Sequence, residues 1–292
     1  MRFALQTPEA FKKTLKQEVA RRVRDGQLEL PMLPHIAQQV LLLAQKPDAS
    51  VREMANLIEQ DQYIAGRLIS VANSPVYYGL HEVSNVQRAI MMLGLRVVTD
   101  LIFSVSVGAK IYRNKQFEGL MNELWRHAVA SAYIAQDLTQ RFGGTSEHAF
   151  LCGLMHDIGK PLIVDTLTDL TKRHPEEFPA ALLSDEFVRE ILDEFHAPVG
   201  GLVARRWKFP ESLSAAIVFH HEPLQDGQVI EPALLAAVAN IFSHACGLGD
   251  RDTVRDPATH PFTKAFGITA EQAARVLPEL EANATMFVDA FL

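Results

Sequence analysis

The sequence is poor in several features that would have assigned it to a class at once. It has two cysteines, Cys152 and Cys246, in 292 residues, too few for a disulfide framework, so a reducing, cytoplasmic setting is expected. No apolar run reaches the ~18 residues that span a bilayer. The most apolar stretch, "VVTDLIFSVSVGA" at 97–109, is short and carries Asp100. "MRFALQTPEAFKK" has no apolar core of signal-peptide length. Excess positive charge is also missing: the formal net charge is −7, which argues against a general nucleic-acid or anionic-membrane surface. There is no P-loop, no glycine-rich dinucleotide fingerprint, no low-complexity segment and no internal repeat. With 48% hydrophobic and 22% charged residues, the chain has the composition of an ordered globular protein.

What is present is helical periodicity nearly throughout. Residues 9–25 mix charge with sparse apolar positions and read as a peripheral helix. Leu33, Ile36, Val40, Leu43 and Ala44 then recur at helical spacing behind two prolines. Ser50 with Glu53 forms a capping box, Asp61 caps the next helix, and "NSPVYYG" at 73–79 signals a turn. Ser84 with Gln87 reads as a second capping box, opening a helix that ends at Gly94. A second block begins near Leu124, with helices in "LWRHAVASAYIAQDLTQRFG", "SEHAFLCGLMHDIGKPLIVDTL" (broken or kinked at Pro161), "DEFVREILDEFHAPVGGLVARRWKFP", "ESLSAAIVFHHEP" and "EPALLAAVANIFSHACG". No strand alternation stands out. The expectation is an all-α, multi-helix bundle with an N-terminal helical subdomain and a seam near 112–122. It divides into a peripheral helix (1–24), an N-terminal helical part (25–115), a helical core (116–250) and a C-terminal helical extension (251–292).

Of the eleven histidines, several fall in successive helices of the second block: His127, then His156 beside Asp157, then His196, then His220-His221. One such residue on an apolar face is usually a hydrogen-bonded core histidine. One per helix across several antiparallel helices is how a bundle assembles a metal site, and imidazole with carboxylate suits iron, manganese, zinc or nickel. Cys152, in "FLCGLM", reads as a small buried apolar residue rather than a nucleophile. Arg205-Arg206-Trp207-Lys208 reads as a solvated face with an amphipathic anchor.

"HDIGK", preceded by the histidine of "WRHAVASA" and followed by "FHHEP", resembles the HD superfamily of metal-dependent phosphohydrolases. "LPMLPHIAQQVLLLA", "LIEQDQYIAGRLISVANSPVYYG" and "VSNVQRAIMMLGLRVVTDLI" resemble its HD-related output domain branch, HDOD, over about residues 25–250. The resemblance implies that His127, His156, Asp157, His196 and His220 or His221 are metal ligands, with Asp157 bridging two ions. Asn240 stands where the superfamily has a closing aspartate, and His244, one turn on, is either a substitute or a helix-end residue. If the site is catalytic, Asp157 and Lys160 are its working groups, Lys160 meeting a phosphate. The Gly-Tyr-Pro loop of the related HD-GYP branch is missing after "HHEP", which counts against cyclic di-GMP hydrolysis. The HDOD resemblance implies a bacterial signal-transduction output or adaptor module with a protein partner and no catalysis. The alternative is a metal-dependent phosphohydrolase taking a nucleotide or phosphodiester.

Overall fold

The computed structural model describes residues 8–44, 46, 49–77, 82–144, 148–249 and 256–291. Its N-terminal part is built from short helices: α1 (Pro8–Arg24), α2 (His35–Ala44), α3 (Val51–Ile58), α4 (Gln62–Ala72), α5 (Val86–Leu93) and α6 (Leu95–Ile111). A 3-10 turn at Lys115–Phe117 leads into the second part. This comprises α7 (Glu118–Phe142), α8 (Ala149–Met155), α9 (Gly159–Arg173), α10 (Asp185–Trp207), α11 (Glu211–Phe219) and α12 (Glu231–Ala245). After α13 (Pro261–Ala265), α14 (Ala270–Phe291) packs against α7 and α4, so the last helix touches both parts. The all-α expectation holds, with one exception. Leu224–Gln225 and Gln228–Val229 form a two-stranded antiparallel hairpin, β1 and β2. Asp226 and Gly227 both have positive φ, 49° and 78°, the backbone a tight two-residue hairpin turn requires.

Local signals explain most boundaries. Ser50 and Glu53 satisfy each other's backbone donors at the start of α3, and the Asp61 carboxylate accepts from the N–H groups of Tyr63 and Ile64. Gly94, at φ 82°, closes α5 and lets the chain turn into α6. The cap of α5 is Asn85, not Ser84: its side chain accepts from the Arg88 N–H at 2.8 Å. A short Asx side chain one residue later reached the first turn with better register. Asn73 pins the connection after α4, donating to the Val83 carbonyl and accepting from the Val83 N–H, both at 2.8 Å; residues 78 and 79 of the expected turn lie outside the described residues. Trp207 is the anchor of its cationic segment, buried with its indole N–H donating to the Pro31 carbonyl at 2.8 Å. Cys152 is buried as a free thiol.

The expected break at Pro161 is displaced. α8 stops at Met155, residues 156–158 form a turn, and α9 begins at Gly159. Pro161 sits in the first turn of α9, where its missing N–H costs no helical hydrogen bond. The break therefore falls on the His156-Asp157 pair itself.

Two glycines set the spacing around that turn. A Cβ on Gly153 would lie 2.2 Å from the Ser131 carbonyl oxygen of α7. One on Gly159 would lie 2.0 Å from the His196 carbonyl oxygen of α10. Only a hydrogen in place of a side chain lets α8 and α9 lie this close to the helices on either side.

Candidate metal centre

The close helix packing brings six of the seven expected ligands into one cluster, buried except for His221. α7 supplies His127, the α8–α9 turn His156 and Asp157, α10 His196, the end of α11 His220, and the following residue is His221. Asp157 stands at the centre. Its Oδ2 lies 3.3 Å from His156 Nε2 and 3.5 Å from His127 Nε2. Its Oδ1 lies 3.3 Å from His196 Nε2 and 3.6 Å from His220 Nε2. The donor set divides into His127, His156 and Asp157 on one side and His196, His220 and His221 on the other, with one carboxylate between them.

The proton inventory of these rings is informative. Four of them engage a backbone carbonyl through Nδ1: His127 with Leu248 (3.1 Å), His156 with Gly153 (2.7 Å), His196 with Leu192 (2.7 Å) and His220 with Ile217 (3.0 Å). A carbonyl only accepts, so each Nδ1 carries the proton. A neutral ring then presents a bare lone pair on Nε2, and these lone pairs face one another. His127 and His156 Nε2 are 3.4 Å apart and His196 and His220 Nε2 3.2 Å, while His221 Nε2 lies at hydrogen-bonding distance, 2.7 Å, from His196 Nε2. Two lone pairs at such distances repel unless something positive lies between them. Carbonyl-oriented imidazoles of fixed tautomer are also what supports metal ligands from behind.

Electrostatics agree with neutral rings. Burial pushes the His196 imidazole down to about 3 and His221 to about 4, and it lowers His220 as well. Burial alone would raise the Asp157 carboxyl, but His156, Lys160, His196 and His127 together hold it well below the ordinary carboxylate range. A deprotonated carboxylate beside His196, His220 and His221, all held neutral by burial, fits a divalent cation.

The remaining expected residues divide. Lys160 does not extend toward open space: its ammonium sits 2.6 Å from Asp157 Oδ2, and both side chains are buried. Asn240 is buried on α12 and its Oδ1 has no hydrogen-bond partner among the described residues. It shares a helix face with Ser243 and His244, and both touch the cluster. Ser243 Oγ lies 3.2 Å from His127 Nδ1, and the His244 ring packs at 5.2 Å from the His127 ring. Ser243 and the Leu248 carbonyl, which orient His127, were not anticipated; the one signal for Ser243 is its place a helical turn after Asn240. Tyr112 was also missed. Burial and the Asp157 charge both push its phenol far up, which puts it in the electrostatic reach of the cluster.

The family profile of the HDOD domain matches residues 30–223. The chain belongs to the HDOD family. An uncharacterised protein of Treponema pallidum (strain Nichols) is 23% identical over 266 residues, covering 90% of this chain; the chain spans about half of that relative, 51%. Among solved structures, a presumed metal-dependent phosphohydrolase from Shewanella amazonensis SB2B superposes with TM-score 0.74 at 20% identity, covering 97% of this chain and 100% of its own. An HDOD protein of unknown function from Geobacter sulfurreducens gives 0.66 at 22% identity, covering 95% and 96%. A presumed signal-transduction protein from Marinobacter aquaeolei VT8 gives 0.66 at 19%, covering 98% and 67%. At these identities the likeness establishes the HDOD fold. Among the described residues, no helix is long and apolar enough to cross a membrane.

Proposed function

We propose that this HDOD chain is a cytoplasmic bacterial signalling module whose helical core holds a pair of divalent transition-metal ions and whose output is partner binding rather than hydrolysis. The observation that carries the metal is the inward-facing set of bare Nε2 lone pairs around Asp157, with the Nδ1 protons of His127, His156, His196 and His220 committed to carbonyls. His127, His156 and Asp157 would hold one ion, and His196, His220 and His221, with Asp157 beside them, would hold the second. Iron, manganese, zinc and nickel all suit these donors. The partner is a signalling protein, and neither nucleic acid nor a membrane is proposed as one.

Two features support output without turnover. Asn240 gives a neutral amide where a carboxylate would add charge, and the Lys160 ammonium occupies an Asp157 oxygen. The ligands are also buried, with only His221 exposed, which leaves little frontage for a substrate. The second reading, a phosphohydrolase acting on a nucleotide or phosphodiester, is favoured by one observation: the single carboxylate placed between two donor groups. A bound cation pair supplies Lewis acidity toward a phosphate ester; Lys160 would then have to leave Asp157 to meet the phosphate.

Elemental analysis of protein purified without chelator should find up to a pair of transition-metal ions per chain, and Asp157→Asn should lose them. Protein that stays metal-free after reconstitution with iron, manganese and zinc ends the metal reading. Turnover of phosphodiesters or nucleotides that Asp157→Asn abolishes while the fold persists establishes the second reading over the first.

A further inference from the structure

A cleft of about 510 Å³ lies at the junction of α4, α6, α7 and the end of α14. That volume falls within the range of small-molecule sites. Its floor is aromatic. Trp125 lies against Tyr112, with ring centroids 4.9 Å apart, and against α6 at Gly108, where a Cβ would strike the indole. On the rim stands Tyr63, 51% exposed although large and apolar. The Arg67 guanidinium lies 5.8 Å from the Tyr63 ring centre and donates to the Phe291 carbonyl at 2.7 Å.

The charge around this cleft opposes that of the whole chain. The chain carries −7, yet the described lining residues include Arg67, Arg113 and Lys115 against one carboxylate, Glu118. Several other surface cations are paired: Lys16 with Glu190 and Glu194, Arg141 with Asp137 and Glu279, Arg173 with Asp169 and Glu29. The side chains of Arg113 and Lys115 are exposed and have no ion pair or hydrogen bond among the described residues. They stand two residues apart in the lining of a cleft that also includes the exposed Tyr63 ring, flanked by Arg67. That combination suits a small ligand with a dianionic group at one end and a planar ring at the other. Glu118 and Asn122, between the two ends, can accept from and donate to hydroxyl and amino groups.

We propose that this cleft binds a nucleoside phosphate, with the phosphate on Arg113 and Lys115 and the base against Tyr63. The site uses none of the proposed metal ligands, although Tyr112 in its lining feels the Asp157 charge. Because α4, α6, α7 and α14 all contribute, the ligand bridges the N-terminal helices and the helical core, and its binding is a chemical input to a module whose proposed output is a protein partner.

The test uses full-length protein, metal-loaded and chelator-treated in parallel, so that a nucleotide held by bound metal is told apart from one held by the cleft. Titration with the four ribonucleoside monophosphates is followed by calorimetry and by fluorescence of Trp125, one of only two tryptophans. At least one nucleotide should bind saturably, while its nucleoside and inorganic phosphate each bind at least about tenfold more weakly. The double substitution Arg113→Gln with Lys115→Gln should weaken binding by at least about tenfold, and Tyr63→Ala should weaken it separately. All three residues are exposed, so the ligand-free variants should melt with the wild type. The proposal is overturned if no nucleotide saturates in the millimolar range, if inorganic phosphate binds as tightly as the nucleotide, or if the variants bind unchanged.

Discussion

Asp100 and Asp157 are both buried aspartates, and their surroundings push them in opposite directions. Asp157, with the Lys160 ammonium 2.6 Å away and imidazoles around it, is held well below the ordinary carboxylate range. Asp100 lies in the apolar face of α6, where burial outweighs the attraction of Arg96 and raises its carboxyl to about 7. An aspartate whose folded pKa exceeds its unfolded value stabilises the fold fully below the unfolded value, near 3.8 here, and that stability is lost as pH rises through 7. Asp100→Asn removes this titration. The wild type should therefore lose stability relative to the variant between pH 5 and pH 8, by up to a few kcal/mol at ~1.4 kcal/mol per pKa unit. Urea midpoints measured at both pH values provide the check, and parallel pH dependence in the two proteins would refute the assignment. In the sequence Asp100 was visible only as the charge interrupting "VVTDLIFSVSVGA"; nothing in that string tells an exposed aspartate from a buried protonated one, because the difference lies in the helices packed around it.

At the scale of elements, the helix-by-helix reading recovered the bundle because each helix carries its own periodicity and caps, and these are local. Boundaries that depended on competition between neighbours were less legible. Asn85 displaced Ser84 as a cap, and the break assigned to Pro161 moved to the His156-Asp157 turn. The hairpin at 224–229 was missed although Asp226-Gly227 is a strong turn pair, since two-residue strands leave no alternation to read. The site fared similarly. The ligand histidines could be picked out by residue type and by resemblance, but the salt bridge of Lys160 to Asp157 and the backing of His127 by Ser243 depend on side-chain directions that spacing does not specify. Gly159 illustrates what only packing reveals. Gly159→Ala should force α9 away from the His196 carbonyl and destabilise the protein by about 1–3 kcal/mol or more, weakening metal binding along with it. Gly119→Ala in α7, where an added Cβ meets nothing within 4 Å, should leave both properties near wild type. Denaturant midpoints and metal titrations of the pair would separate close packing from a general glycine effect; equal behaviour would contradict it.

For the whole molecule, acid is the informative perturbation. His196, His220 and His221 are held neutral by burial, whereas in the unfolded chain they take protons below about 6.5. Their folded values lie lower, so the unfolded state binds more protons between about pH 6.5 and 3, and stability must fall as pH falls through that window. The depressed carboxyl of Asp157 acts in the same direction at lower pH, and the opposing titrations of Asp100 and Asp165 are outnumbered. Metal-free protein should show a Tm that drops steeply from pH 7 to pH 5, with loaded protein resisting until its ligands protonate. A flat Tm over that range would mean the imidazoles are not held neutral.

The cluster also has a topological meaning. Its donors run from His127 to His221 in a chain whose two cysteines are both buried and free. Joining the two ends of that stretch through bound ions closes a loop of order 100 residues, for which the chain-entropy model of cross-linking gives about 5 kcal/mol. A protein without a disulfide would thus acquire a reversible clasp, fastened by metal supply and undone by protons, and its resistance to unfolding would follow the metal status of the cell.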